Sequence, residues 1–146
     1  MQRVSEAAVS VAGNNTAQIK KGLLVLVGIS PLDDQKDIDW LATKIVQLRI
    51  FEDSEGQMNH SLLSLGLELI VVSQFTLFAA TKKGNRPSYI KAAPPEIAIP
   101  LYQAFIKKLE SLMGMEVGAG IFGADMKVSL VNDGPVTVVI DSHIKE

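Results

Sequence analysis

The stretch LELIVVSQF, residues Leu67–Phe75, decides the fold of this sequence. An apolar run of this length, rich in β-branched residues and ending in polar ones, is typical of a strand that is buried on both faces. A second run, GLLVLVG over Gly22–Gly28, has the same character. We therefore predict two buried strands in the middle of the fold, with Leu67–Phe75 as the central one.

Outward from these strands, the sequence predicts a mostly antiparallel sheet with two covering helices. Gly13-Asn14-Asn15 tolerates positive φ, which predicts a hairpin. Ser30-Pro31 opens a helix whose apolar residues recur at spacings of three and four, and Pro94-Pro95 leads into a second helix, with Pro100 placed in its first turn. The other predicted strands are Val4–Val11, Ala17–Lys20, Arg49–Glu52, Met126–Val131 and Val136–Asp141. The fold class is α+β, a barrel-like sheet in a single domain over residues 1–146.

The composition excludes several classes of protein. Of the 146 residues, 47% are hydrophobic and 21% are charged, which favours a globular domain over a disordered chain. There is no apolar run long enough to span a bilayer, and the first residues lack the apolar region of a signal peptide, so we expect a cytoplasmic protein without a membrane partner. The net charge of −2 means that any RNA contact needs a local basic patch.

The usual catalytic reagents are missing. The chain has no cysteine, and its two histidines, His60 and His143, stand in unrelated contexts. There is no zinc-ligand spacing, no context for a Ser-His-Asp triad and no glycine-rich phosphate loop. We therefore expect a protein that uses neither a metal nor a cofactor.

The polar end of the central strand is the first candidate site. Ser73, Gln74, Phe75 and Thr76 follow the buried run, where backbone N–H groups leave the sheet and are able to bind an oxyanion. The competing interpretation is that the hydroxyl groups only satisfy backbone groups at a strand end. Asn132-Asp133-Gly134-Pro135 is, by composition, a turn.

A basic loop follows at once. Lys82, Lys83 and Arg86 lie within TKKGNRP, residues 81–87. Three cations close to the end of the central strand suit contacts with the phosphates of a nucleic acid. A solvated loop is the alternative.

Taken in order, several segments resemble the D-aminoacyl-tRNA deacylase family, historically called D-tyrosyl-tRNA deacylase. The resemblance covers nearly the whole chain. Its segments are Gln2-Arg3-Val4, Lys21–Val25, Leu48–Phe51, Val72–Leu77, Lys83–Ser88, Gly123–Met126 and Val131–Thr137. One departure is that family members carry a few more residues before Gln2, so the first strand looks about four residues short here.

The resemblance implies a homodimer whose active sites are shared between subunits. It places Ser73, Gln74 and Phe75 in a pocket with Met126 nearby. It also implies a cis peptide bond between Gly134 and Pro135 that reaches into the partner's pocket, and the matching Arg3 helps to hold this turn. Two carbonyl oxygens of the turn would collide with an L side chain, whereas a D side chain points to solvent.

The activity that the resemblance implies is hydrolysis of the ester at the 3′ end of D-aminoacyl-tRNA. Glycyl-tRNA mischarged on tRNA-Ala should also be cleaved, because glycine has no side chain to reject. Thr76 is either the nucleophile, or its backbone and that of Phe75 bind the oxyanion while the terminal ribose 2′-OH activates water; we favour the second. The alternatives are a paralogue that edits L-alanyl-tRNA and a non-catalytic dimeric module that binds RNA or an amino acid.

Overall fold

The computed structural model describes residues 1–145, which form one sheet of six strands, a separate two-stranded sheet and three helices. The strands are β1 Gln2–Val11, β2 Asn14–Ile19, β3 Gly22–Val27, β4 Arg49–Glu52, β5 Met58–Ser61, β6 Glu68–Ser73, β7 Gly118–Ala119 and β8 Met126–Thr137. The helices are α1 Gln35–Gln47, α2 Leu62–Leu65 and α3 Pro95–Met113, and a 3-10 turn covers Phe75–Phe78. Within the described part of the chain, no helix is long and apolar enough to cross a membrane.

The large sheet is mixed, with β3 and β6 at its centre. Its order is β2-β1-β3-β6-β7. β2 pairs with residues 7–11 of β1 and β3 with residues 2–4, whereas β8 pairs with β1 along residues 2–11. β1 runs antiparallel to β2, β3 and β8, whereas β6 runs parallel to β3 and β7. The expectation of a mostly antiparallel sheet is therefore corrected, because the two most buried strands are joined by a helical crossover and lie parallel.

Both faces of β3 and β6 are covered, as their unbroken apolar runs require. One face, with Leu23, Val25 and Val71, packs against α1 and α3. The opposite face, with Leu24 and Ile70, packs inside the curved sheet against apolar residues of β1. The sheet thus curls over its own second core, and this gives the nearly closed barrel-like α+β shape expected from the sequence.

The helices begin and end at recognisable signals. Asp34 caps α1, since its carboxylate accepts hydrogen bonds from the amides of Lys36 at 2.7 Å and Asp37 at 3.4 Å. α3 starts with Pro95 and ends at Gly114, which has a left-handed backbone with a φ of 67°. Its second proline, Pro100, lies inside the helix rather than in its first turn as expected.

Several predicted boundaries were wrong for local reasons. The first helix begins at Gln35 and not at Ser30, because the Asp33 carboxylate accepts from the Ser30 amide and closes a turn there. A third helix, α2, is only four residues long, too short for a periodic pattern. The expected strands Met126–Val131 and Val136–Asp141 are joined in one strand, β8, which ends at Thr137 and whose pairing with β1 shifts register twice.

Candidate active site

The end of β6 turns abruptly into the 3-10 turn, and this change frees two backbone amides. The Gln74 amide still donates to the Val27 carbonyl oxygen at 2.7 Å, extending the sheet by one bond. The first amide bonded within the turn is that of Leu77, which donates to Gln74 at 3.2 Å. The amides of Phe75 and Thr76 come before it and donate to no acceptor among residues 1–145. Two neighbouring N–H groups are thus free to bind an anionic oxygen.

The side chains of this segment surround the free amides. The Gln74 side-chain nitrogen donates to the Thr76 hydroxyl, which makes no hydrogen bond with any acid or base in the described residues. The Phe75 ring is 57% exposed and meets the ring of Tyr89 edge to face, with 5.1 Å between centroids. Thr76 therefore has a positioning partner but nothing that would take its proton. Tyr89, which the sequence did not single out, supports the aromatic wall.

Gly28 is a second residue that sequence reasoning missed. A Cβ atom at this position would lie 2.9 Å from the Phe78 ring and 3.3 Å from the Gln74 carbonyl oxygen. The chain can pack the 3-10 turn against the end of β3 only because Gly28 has no side chain. The available signal was a glycine directly after a buried strand.

Met126 lies next to the central strand. It is the first residue of β8, and its sulfur contacts the position of Gly120, whose amide donates to the Val71 carbonyl oxygen at 3.3 Å. Met126 also packs against the buried cluster that contains Val72. Met126 therefore packs on the same buried cluster as Val72, the residue that precedes Ser73.

Arg3 is buried and holds residues 132–135, the turn within β8 where the pairing with β1 shifts register. Its side chain is 5% exposed; Nε donates to the Asp133 carbonyl oxygen at 3.0 Å and Nη1 to that of Ile50 at 2.8 Å. The carboxylates of Glu52 and Asp133 lie 3.6 Å from the guanidinium. The fixed fork of an arginine suits two carbonyls on different strands.

The Gly134–Pro135 peptide bond is cis, and both residues are exposed. Gly134 has a φ of 124°, and a Cβ atom there would lie 2.9 Å from Nη2 of Arg3. β1 and β3 lie between β8 and β6 in the sheet order, and no hydrogen bond within residues 1–145 links this turn to residues 73–76.

The basic loop, residues 81–87, follows the 3-10 turn and is closed at its base by a pair of backbone hydrogen bonds. Ala80 and Ser88 exchange two backbone hydrogen bonds, of 2.8 and 3.0 Å, at its base. Lys82, Lys83 and Arg86 are exposed between them, and in the part of the chain that the structure describes none of the three forms an ion pair. These cations are available to a phosphate.

His143 is exposed and lies against the residues that precede and begin α1. Its Nε2 lies 2.7 Å from a carboxylate oxygen of Asp33, and this hydrogen bond raises the pKa of the imidazole. The pKa of the nearby Asp37 is lowered, first by the hydrogen bond from the Asp34 amide. Ligand atoms of Asp33, Asp37 and His143 lie within 4.8 Å of one another. These groups already bond to each other and to the start of α1, which accounts for their proximity.

Known proteins match this chain over nearly its whole length. A family model described as D-Tyr-tRNA(Tyr) deacylase matches residues 1–141. A Flavobacterium psychrophilum protein named D-aminoacyl-tRNA deacylase is 62% identical over 146 residues, 100% of this chain and 97% of the relative. A Bacteroides thetaiotaomicron protein of the same name is 60% identical with the same coverage.

Solved structures share the fold. One named c-Myc DNA Unwinding Element Binding Protein superposes with a TM-score of 0.87 at 40% identity, covering 94% of this chain and 93% of that one. Another, described as a probable eukaryotic D-amino acid tRNA deacylase, gives a TM-score of 0.77 at 14% identity, with coverages of 90% and 91%. At that identity the second likeness concerns the fold alone.

Proposed function

The chain belongs to the D-Tyr-tRNA(Tyr) deacylase family, and we propose that it hydrolyses the ester bond of D-aminoacyl-tRNA to a free D-amino acid and tRNA. The observation that carries this proposal is the pair of free amides of Phe75 and Thr76 at the end of β6. Hydrolysis of an ester passes through a tetrahedral intermediate with a negatively charged oxygen, and two preorganised N–H groups stabilise that charge.

In this mechanism the backbone, not a side-chain nucleophile, does the chemistry. Water adds to the ester carbonyl carbon while its proton passes to the terminal ribose 2′-OH, and the amides of Phe75 and Thr76 hold the oxyanion. The bond from carbon to the ribose 3′-oxygen then breaks, and the 2′-OH, having accepted the proton of the water, passes its own proton to that 3′-oxygen. Aminoacyl esters are reactive, so positioning the ester and stabilising the charge of the oxyanion are enough to accelerate hydrolysis. Ser73 and Gln74 position the substrate, and Gln74 holds the Thr76 hydroxyl through its hydrogen bond.

Selection against L substrates is assigned to the Gly134–Pro135 turn of a second copy of the chain. The turn is exposed, and within one chain two strands separate it from β6. Both facts suit a homodimer in which each turn enters the other subunit's site. The carbonyl oxygens of Gly134 and Pro135 would collide with an L side chain, whereas a D side chain would point outward. Glycyl-tRNA would not be rejected, because glycine has no side chain.

Binding of tRNA is assigned to the basic loop. Lys82, Lys83 and Arg86 lie exposed on a loop closed by Ala80 and Ser88, close to the aromatic pair of the site. Contacts with phosphates position a nucleic acid without reading its sequence. This suits an enzyme that must accept many tRNAs.

The deciding experiment compares D-tyrosyl-, L-tyrosyl- and glycyl-tRNA as substrates of the purified protein. We expect rapid release of D-tyrosine and glycine and no release of L-tyrosine beyond the spontaneous rate. Binding of tRNA without hydrolysis would favour the non-catalytic alternative, and cleavage of L-alanyl-tRNA would favour the editing paralogue.

A pair of variants separates the two roles of Thr76. If its hydroxyl were the nucleophile, Thr76→Val would abolish turnover and Thr76→Ser would retain part of it. In the proposed mechanism Thr76→Val keeps part of the activity, and replacing the terminal ribose 2′-OH by hydrogen costs more. An acyl group trapped covalently on Thr76 would overturn the backbone mechanism.

A further inference from the structure

A stripe of polar and aromatic side chains runs along the outer face of α1. Its residues follow one another at spacings of three and four, which places them on one side of the helix, opposite the buried Ile38, Ala42 and Ile45. The stripe is roughly 17 Å long at about 1.5 Å per residue. We call it the α1 stripe, and it consists of Lys36, Trp40, Thr43, Lys44 and Gln47.

The α1 stripe lines a shallow concavity of about 820 Å³. Trp40 is half-buried there, and it is the only tryptophan of the chain. The ammonium groups of Lys44 and Lys145 lie over its ring, at 5.7 and 4.8 Å from the centroid. Both lysines are exposed, so the face of the indole is reached from solvent.

The cations of this surface are open to a partner. Lys36, Lys44 and Lys145 are exposed, and among residues 1–145 none of the three forms an ion pair. An exposed ammonium group is held only weakly over an aromatic ring. The lysines are therefore able to move from the ring to a phosphate.

The carboxylates near the stripe are already engaged. Asp39, which lines the same concavity, is paired with Lys108 at 3.1 Å, and the hydrogen bond from that lysine lowers the pKa of Asp39. Asp34 and Asp37 accept hydrogen bonds of 2.7 and 3.0 Å from backbone amides at the start of α1. An anionic partner is therefore favoured here, although the chain carries a net charge of −2.

The stripe begins at the edge of the sheet that carries the proposed site. β3 and β6 run parallel, so their carboxyl ends meet at that edge, and α1 follows β3. Gly28 packs there against Phe78 of the 3-10 turn, and Lys36 comes eight residues later. The helix then leads to Ile50, which bonds to Arg3 beside the start of β3. A nucleic acid whose end lies in the site is thus able to follow the stripe along the outside of the domain.

We propose that the α1 stripe, together with Lys145, is a second contact surface for the tRNA, on which an unpaired base stacks on Trp40 while the lysines pair with phosphates. An aromatic platform among mobile cations is the usual means of binding a single strand. Stacking tolerates every base, which suits an enzyme that accepts many tRNAs. The inference rests on the proposed function for the choice of tRNA as the partner.

The test uses the fluorescence of the single tryptophan. An unstructured uridine decamer and an RNA duplex with the same number of phosphates are titrated separately into the protein at low salt. We expect the decamer to quench Trp40 emission and the duplex to quench it far less, because its bases are stacked on one another. Equal quenching by the two RNAs, or none by the decamer, would overturn the stacked base.

Variants separate the ring from the cations, with binding of a labelled decamer followed by anisotropy and folding checked by thermal unfolding. Trp40→Leu should weaken binding about tenfold, and Trp40→Phe, which keeps a stacking face, should lose less. Lys36→Ala with Lys44→Ala should reduce the slope of log K against log salt by about 1.4, at roughly 0.7 per phosphate contact. Lys20→Ala with Lys127→Ala removes the same charge outside the stripe and should leave the slope unchanged. Equal changes in both pairs would show that only the net charge matters.

Hydrolysis of D-tyrosyl-tRNA distinguishes this inference from the proposed function. The variant with Lys36→Ala and Lys44→Ala should raise KM several-fold and leave kcat unchanged, because the stripe lies outside the site. Full activity with an unchanged KM would refute the stripe as a tRNA contact while the proposed function stands. Quenching by the decamer in a protein that hydrolyses no aminoacyl-tRNA would support the stripe and refute the proposed function.

Discussion

The substitution Arg3→Lys tests how the buried guanidinium holds the β8 turn. Arg3 donates to the carbonyl oxygens of Asp133 at 3.0 Å and Ile50 at 2.8 Å. Hydrogen bonds from charged donors contribute about 1.5–3 kcal/mol each. Lysine keeps the charge but lacks the planar fork, so at least one bond is lost and one carbonyl is left unsatisfied. We expect a loss of about 2–4 kcal/mol in the free energy of unfolding, or about 5–15 °C in Tm.

The matched control for this experiment is Arg49→Lys. Arg49 is exposed and also makes two hydrogen bonds, to the Asn59 carbonyl oxygen at 2.8 Å and to its side-chain oxygen at 2.7 Å. Because water can replace those partners, the expected cost is within about 0.5 kcal/mol. Urea unfolding at pH 7 measures both variants, and deacylation of D-tyrosyl-tRNA reports on the turn. If Arg3→Lys and Arg49→Lys lowered the free energy of unfolding by the same amount, the buried guanidinium of Arg3 would not be what holds the β8 turn.

Three further measurements probe other parts of the molecule. Replacing Lys82, Lys83 and Arg86 by alanine should weaken tRNA binding and reduce the slope of log K against log salt by about 2, at roughly 0.7 per phosphate contact; an unchanged slope would mean that the loop is only solvated. EDTA should leave hydrolysis of D-tyrosyl-tRNA unchanged, and activity that only zinc restores would contradict a metal-independent mechanism. Burial raises the pKa of Tyr102 to about 12, and its hydroxyl donates to Val71 at 3.0 Å, so Tyr102→Phe should cost about 1 kcal/mol at pH 8. This cost should shrink between pH 10 and 12, because the unfolded tyrosine ionises first as the pH rises; a constant cost in urea unfolding would show that the hydroxyl is not titrating as described.

The sequence predicted the two central strands because burial on both faces demands continuous apolar runs. It did not predict that β3 and β6 lie parallel, since strand direction depends on a crossover of some forty residues and not on local pattern. The hairpin between β1 and β2 was predicted correctly, and Ala12 and Gly13 have the positive φ values that it needs. The four residues of α2 carry no periodic signal.

The candidate site was predictable where its residues are consecutive in the chain. Ser73, Gln74, Phe75 and Thr76 lie together at the end of β6, as the polar end of the apolar run indicated. Gly28 and Tyr89 come from distant positions, and only the folded chain brings them to this segment. The hydrogen bond between His143 and Asp33 joins residues 110 positions apart and had no signal in the sequence.

The pairing of β1 with β8 also determines when the protein is able to finish folding. The amino group of Met1 bonds to a residue 137 positions later in the chain. At about 5–20 residues per second, a ribosome needs roughly 7–27 s to make that stretch. The first strand can pair with β2 and β3 early, but the pairing with β8 has to wait until residues 126–137 have been made. The sheet is therefore completed only after β8 has been synthesised, and the long separation in sequence between the two strands slows this step.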